Sequence, residues 1–157
     1  MSDRSVTHAT FVIVHVYDAP PARVFAAWAD QTAKNRWFAG VDSPDPDAAT
    51  LELDFRVGGT ERNTFQDGKG GPVFSYEGCF RDIVPDERIV LTNHMHRDET
   101  RLAVNLVHVQ FDPEGAGTRL TVTDQGAYLD GQDRPEWREA GTRSQLERLA
   151  VELKTVV

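Results

Sequence analysis

The chain has 157 residues, 39% of them hydrophobic, with a formal net charge of −8 and a pI near 5.0. That length suits one domain, residues 1–157, with one sizeable core, and the acidic balance argues against a nucleic-acid partner, which needs a basic face. No apolar run approaches the ~20 residues of a membrane helix, the opening MSDRSVTHAT has no apolar stretch for a secretory signal, no N-x-S/T site occurs, and the single Cys79 excludes an internal disulfide. The expected compartment is therefore the cytoplasm, without a membrane partner.

FVIVHVY, 11–17, is rich in β-branched and aromatic residues and reads as a strand that stops at DAPP. Asp18 is placed to cap a helix, and a proline fits the first helical turn, where its missing N–H is not needed. Val24, Phe25 and Trp28 then share one helical face. Asp30 is placed to cap a second short helix carrying Trp37 and Phe38, and Gly40 ends it. Residues 18–38 thus hold four of the eleven Phe and Trp residues.

From residue 50 the period becomes two. TLELDF aligns Leu51, Leu53 and Phe55, and Gly58-Gly59 permits a sharp bend. DGKGGP, 67–72, joins two strands, the second aligning Phe74, Tyr76 and Phe80. VPDER, RDET and PEGAG punctuate three further strands, IVLTNHMH, RLAVNLVHVQF and TRLTVTD. About six consecutive strands with short turns make an antiparallel meander. One long helix follows, 135–155, with Leu146, Leu149 and Leu153 on one stripe. The class is α+β: a curved sheet of about seven strands wrapped around the last helix, with the two small helices closing one end.

The stretches YDAPPARVFAAW, RWF, RVGGT, YEGCFRDIVPDERIVLT, GTRLTVTDQG and GTRSQLERL occur in an order that resembles the START-like (SRPBCC, helix-grip) superfamily. More narrowly they resemble its branch of activator-of-heat-shock-protein-ATPase homologues, over roughly residues 10–153, and DQGAYLDG followed by REAGT is similar to a bacterial subgroup mostly without defined activity. The resemblance implies a cavity for a small apolar molecule, with functions from carriers to cyclases, and supplies no catalytic motif. Many relatives carry Gly-Trp entering the last helix, where this chain has Gly141-Thr142.

Candidate chemistry is sparse. His94-x-His96 has a metal-binding spacing. In the hairpin around RDE, however, His94 falls opposite Leu102 or Ala103, leaving His108 roughly 17–20 Å away along the strand. No histidine triad is expected, and no metal or other cofactor. GKGG, 68–71, precedes Pro72 between strands and lacks the phosphate-loop pattern. Cys79, Ser75 and Ser144 lack a base or an elbow motif.

Strand parity is more informative. Pairing Phe111 with Leu120 turns Val107, Val109, Leu120 and Val122 inward, and with them Asn105 and Asp124. Ile89 and Leu91 bring Asn93 inward on the preceding strand. Three strands therefore aim Asn93, Asn105 and Asp124 into one end of the interior, where each needs a partner. They form either a structural network with one another and Tyr128, or a polar anchor for a ligand in an apolar pocket. Candidate walls are Phe65, Phe74, Tyr76, Leu91, Val107 and Leu146, with Trp37 and Phe38 at the entrance. The expected function is binding of a small apolar or amphipathic molecule by a monomer or homodimer acting as carrier, sensor or sequestering protein. Two alternatives stay open: a cyclase or hydrolase using Asp124 as general acid or base, and a stress-response partner protein, which only the branch name suggests.

Overall fold

Alternating β-branched and aromatic residues give the long strands, and the turns between them are short enough to force antiparallel pairing. The computed structural model describes residues 4–41, 50–66 and 68–154. Strand β1 (Val6–Tyr17) leads into helices α1 (Pro21–Ala29) and α2 (Gln31–Trp37). Six strands follow: β2 (Leu51–Leu53), β3 (Thr60–Gln66), β4 (Val73–Val84), β5 (Arg88–Arg97), β6 (Thr100–Glu114) and β7 (Gly117–Leu129). Helix α3 (Pro135–Leu153) closes the fold; residue 155, where the sequence ends this helix, lies outside the described residues. Among the described residues no helix is long and apolar enough to cross a membrane.

All seven strands form one antiparallel sheet in the order β1-β7-β6-β5-β4-β3-β2. Strands β2 to β7 are the expected meander, and β1 adds at the far side, against β7. The register pairs Phe111 with Leu120 and Val107 with Asp124, as parity requires. The inner face supplies Ile13, Phe80, Ile89, Val109, Phe111, Leu120 and Val122 to the core, and α3 meets it with Leu146 and Leu149. Leu153 completes the stripe from a partly buried position. A bond from the Tyr17 hydroxyl to the Leu146 carbonyl, 2.9 Å, ties α3 to β1.

The small helices differ in how they start. Asp30 caps α2, its Oδ2 accepting from the Ala33 amide at 2.8 Å. Asp18 does not cap α1. The first helical residue is Pro21, so Asp18 lies too early to reach the first-turn amides, and the Pro20 carbonyl accepts from Arg23 and Val24 instead. The bend after β2 behaves as the glycines suggest: a Cβ on Gly59 would lie 2.2 Å from the Asp54 carbonyl oxygen, and Gly58 has φ +85°. Phe55 lies past the end of β2, yet it still packs edge-on against Phe25 and Phe80.

One register expectation is corrected. His94 pairs with Val104, not with Leu102 or Ala103, because an irregularity between Met95 and His96 shifts the end of the β5–β6 ladder. His108 is then four positions along β6, about 13 Å away. Among the described residues, no group of three or more His, Cys, Asp and Glu side chains is placed to hold a metal.

Candidate functional site

Between the sheet, α2 and α3 lies a cavity of about 390 Å³. Its walls are mostly apolar and aromatic, with Trp28, Trp37, Phe38, Phe65, Tyr76, Leu91, Val107, Val122 and Leu146 facing the space. Trp28 is both buried and a wall. Trp37 is 1% exposed, so it forms an inner wall and not the rim expected of it. The end of α2 is pinned there by α3: Gln145 donates to the Phe38 carbonyl at 3.0 Å and Arg148 to the Trp37 carbonyl at 2.9 Å. Arg36 forks onto Glu152 on the same interface.

The polar end is built on one cross-strand row. Glu61 pairs with Gly78, Gly78 with Asn93, Asn93 with Asn105, and Asn105 with Gly126. Residues paired across neighbouring strands share a face, so four adjacent strands and β3 present this row inward together. The two glycines make room for their neighbours' polar atoms. A Cβ on Gly78 would sit 3.0 Å from the Tyr76 hydroxyl, and one on Gly126 would sit 2.6 Å from Asn105 Nδ2. Absent those side chains, the Tyr76 hydroxyl reaches Glu61 Oε1 at 2.7 Å, and Asn105 Nδ2 reaches Asp124 Oδ1 at 2.5 Å.

Asn93 and Asp124 line the cavity, whereas Asn105 and Tyr128 stand behind them. Asn105 also points Nδ2 at the Tyr128 hydroxyl, 3.4 Å away, and its Oδ1 is buried with no hydrogen-bond partner among the described residues. Phe74 does not line the cavity either; it stacks on Phe65, which does. The structure thus brings nine of the twelve sequence candidates to the cavity wall: Trp37, Phe38, Phe65, Tyr76, Leu91, Asn93, Val107, Asp124 and Leu146.

Three charged contributors to the site's polar groups, Lys34, Glu61 and Arg138, are among those that escaped sequence reasoning. Lys34 and Glu61 form an ion pair at 2.6 Å with side chains 0% and 1% exposed. The ammonium lies 4.9–5.9 Å from the ring centroids of Phe38, Trp28, Phe80 and Trp37, a cation ringed by aromatic faces. The signal available for Lys34 was its place three residues before Trp37, on the same helical face; for Glu61 it was the inward parity of Glu61, Asn63 and Phe65 on β3. The third is Arg138 on α3, whose Nη2 donates to Asn93 Oδ1 at 3.2 Å and whose Nη1 approaches Met95 Sδ at 3.0 Å. Gly141 and Thr142 line the cavity from the second turn of α3, past the helix start where the resemblance put them.

Burial pushes the Asp124 carboxyl above its ordinary value, against the Asn105 hydrogen bond and the Arg138 guanidinium, which both pull it down. Burial and the neighbouring Glu61 carboxylate push the Tyr76 phenol well up. For Asp124 the native state then holds more protons than the unfolded chain, so its contribution to native stability is lost as pH rises from about 3.8, the ordinary carboxyl value, through its raised native value. Asp124→Asn is expected to flatten that fall. Comparing denaturation midpoints of the two proteins across acid to neutral pH measures it; parallel curves would mean that Asp124 titrates normally.

The chain matches the family model of activator of Hsp90 ATPase homolog 1-like proteins over residues 18–154. No curated protein matches it. Among solved structures it is similar to the Mll3558 protein of Rhizobium loti, at 45% identity over 94% of this chain and 99% of that one, with a TM-score of 0.85. An uncharacterised protein from Rhizobium leguminosarum is 40% identical over 96% and 97% of the two chains, with a TM-score of 0.87. An AHSA1-like protein from Aeromonas hydrophila shares the fold at 20% identity, covering 93% and 92% with a TM-score of 0.67. With the family model spanning both small helices, the whole meander and α3, this chain belongs to the activator of Hsp90 ATPase homolog 1-like family.

Proposed function

We propose that the protein binds a small amphipathic molecule in this cavity, as a cytoplasmic carrier, sensor or sequestering protein. The observation that supports the reading best is the cavity itself, about 390 Å³ of mostly apolar wall with Asn93, Asp124 and Arg138 among the polar groups that face it. Volume and lining are those of small-molecule sites, where apolar walls supply affinity and a few placed polar groups fix orientation. At ~30 Å³ per water-sized group, the space suits a ligand of about a dozen non-hydrogen atoms. Aromatic walls favour a flat apolar body.

Catalysis in the same cavity has one observation in its favour. Tyr76 and Glu61 are two titrating groups within hydrogen-bond reach on the wall. Both Glu61 oxygens are already engaged, however, Oε1 by Tyr76 and Oε2 by Lys34. The raised Tyr76 phenol holds its proton near neutral pH. Among the described residues Asp124 is hydrogen-bonded by the amide of Asn105, not by a second acid or base. Binding without turnover is the reading we favour.

Filling the cavity tests it. Thr142 faces the space, and a Cβ at the adjacent Gly141 would meet no atom within 4 Å. Thr142→Trp is expected to keep the fold and weaken a neutral aromatic probe, 2-naphthamide, by about tenfold or more, as read by calorimetric titration. Unchanged affinity in a folded variant would show that the probe binds elsewhere and would remove the support for a cavity ligand.

A further inference from the structure

The charged groups on the cavity wall are not evenly satisfied. Of the two carboxyls, Glu61 is held by Lys34 and Tyr76, and Asp124 by Asn105. The two guanidiniums, Arg138 and Arg148, have no carboxylate within ion-pair distance among the described residues, and their hydrogen bonds go to acceptors without formal charge. Arg148 is exposed and committed to the Trp37 carbonyl. Arg138 is half-buried, beside Asn93 at the polar end, and uses two of its five donors, one on an amide oxygen and one on a thioether.

Resting on the reading that the cavity takes a small amphipathic molecule, we propose that the ligand's polar head is a carboxylate, paired with the Arg138 guanidinium. Three donors of a planar fork remain, and that geometry matches a carboxylate in a two-point contact. The Asn93 amide and the Met95 sulfur fix the guanidinium's position from the β5 side, so the fork is set before the ligand arrives. Asp124 shares the wall with such a head, with its Oδ1 already engaged by the Asn105 amide. The ligand class is then a compact aromatic or alicyclic carboxylic acid, its apolar body among Trp28, Trp37 and Phe38 and its head toward α3.

Three probes of matched shape test this by calorimetric titration at neutral pH: 2-naphthoate, 2-naphthamide and 2-naphthylmethylammonium. The naphthoate is expected to bind about ten- to a hundredfold tighter than the amide, the range of a charge-assisted pair. Arg138→Gln should abolish that preference while leaving amide binding in place, and Arg138→Lys should retain part of it. Arg138 is not part of the buried core, so both variants are expected to fold, which circular dichroism checks. Equal affinity for acid and amide in the wild type, a preference surviving Arg138→Gln, or tighter binding of the ammonium would each overturn the carboxylate assignment while leaving the cavity reading intact. Failure of all three probes to bind would overturn both.

Discussion

Glu61→Leu is expected to destabilise the protein by about 3–5 kcal/mol, the range for removing one partner of a buried ion pair. The substitution strands the Lys34 ammonium, which is fully buried and has the Glu61 carboxylate at 2.6 Å. It also leaves the Tyr76 hydroxyl without its acceptor on the cavity wall. The four surrounding rings offset part of this, since cation–π attraction amounts to about 0.5–2 kcal/mol for a desolvated cation, but they cannot replace a carboxylate for an ammonium with no solvent exposure. Lys34→Met alone leaves the complementary defect, a buried carboxylate with only a phenol as partner. The double variant Lys34→Met/Glu61→Leu removes both charges and places apolar volume among Trp28, Trp37, Phe38 and Phe80. It is therefore expected to be more stable than either single variant. Guanidinium unfolding of the four proteins gives the coupling; single effects adding to within about 0.5 kcal/mol would mean that the two side chains do not interact in solution.

Trp37→Ala should cost a similar amount, about 3–5 kcal/mol, because the indole is the largest fully buried side chain and its loss leaves a cavity. The Nε1–H bond to the Ala27 carbonyl, 2.9 Å, disappears, along with the edge contacts to Trp28 and Phe38. The carbonyl of Ala27 is near the end of α1, so the bond joins the two small helices. Because Trp37 is also a cavity wall, the loss has a second readout: the enlarged space should accept a three-ring aromatic amide that the wild type rejects. Trp37→Phe keeps most of the apolar volume and is expected to lose less stability without opening the cavity. A cost below about 1 kcal/mol for Trp37→Ala would indicate that α2 collapses into the vacated volume, and the larger probe would then be excluded as well.

Much of this architecture is legible in local chemistry. A strand has a side-chain period of two, so once Ile89, Leu91, Val107, Val109, Leu120 and Val122 are inward, Asn93, Asn105 and Asp124 follow with no knowledge of the rest of the fold. One hairpin turn places Phe111 against Leu120, and each later pair is counted from there. Helix α2 is equally local: Asp30 three residues before Ala33 is a cap whatever packs above it. The leucine stripe of α3 needs only the helical repeat. These features are set by neighbours a few residues away or by one tight turn, which is why sequence alone determined them.

The polar machinery of the cavity is of another kind. Lys34 on a seven-residue helix and Glu61 on a strand that reads TERNTFQ each look like ordinary solvated charges; burial of both follows only when α2 folds down over β3 and their oxygen and nitrogen meet. Arg138 meets Asn93 across 45 residues of chain, from a helix whose angle over the sheet no local pattern specifies. The irregularity between Met95 and His96 moves the His94 partner to Val104, a shift invisible to counting outward from a turn. Gly78 and Gly126 carry no periodic signal, and only the cross-strand row reveals them as the space into which Tyr76 and Asn105 reach. A strand's periodicity decides which face a residue takes, but contact between faces depends on how helices and a curved sheet close over one another. The tertiary structure alone therefore decided which charges are neutralised in pairs and which guanidinium remains turned toward the cavity.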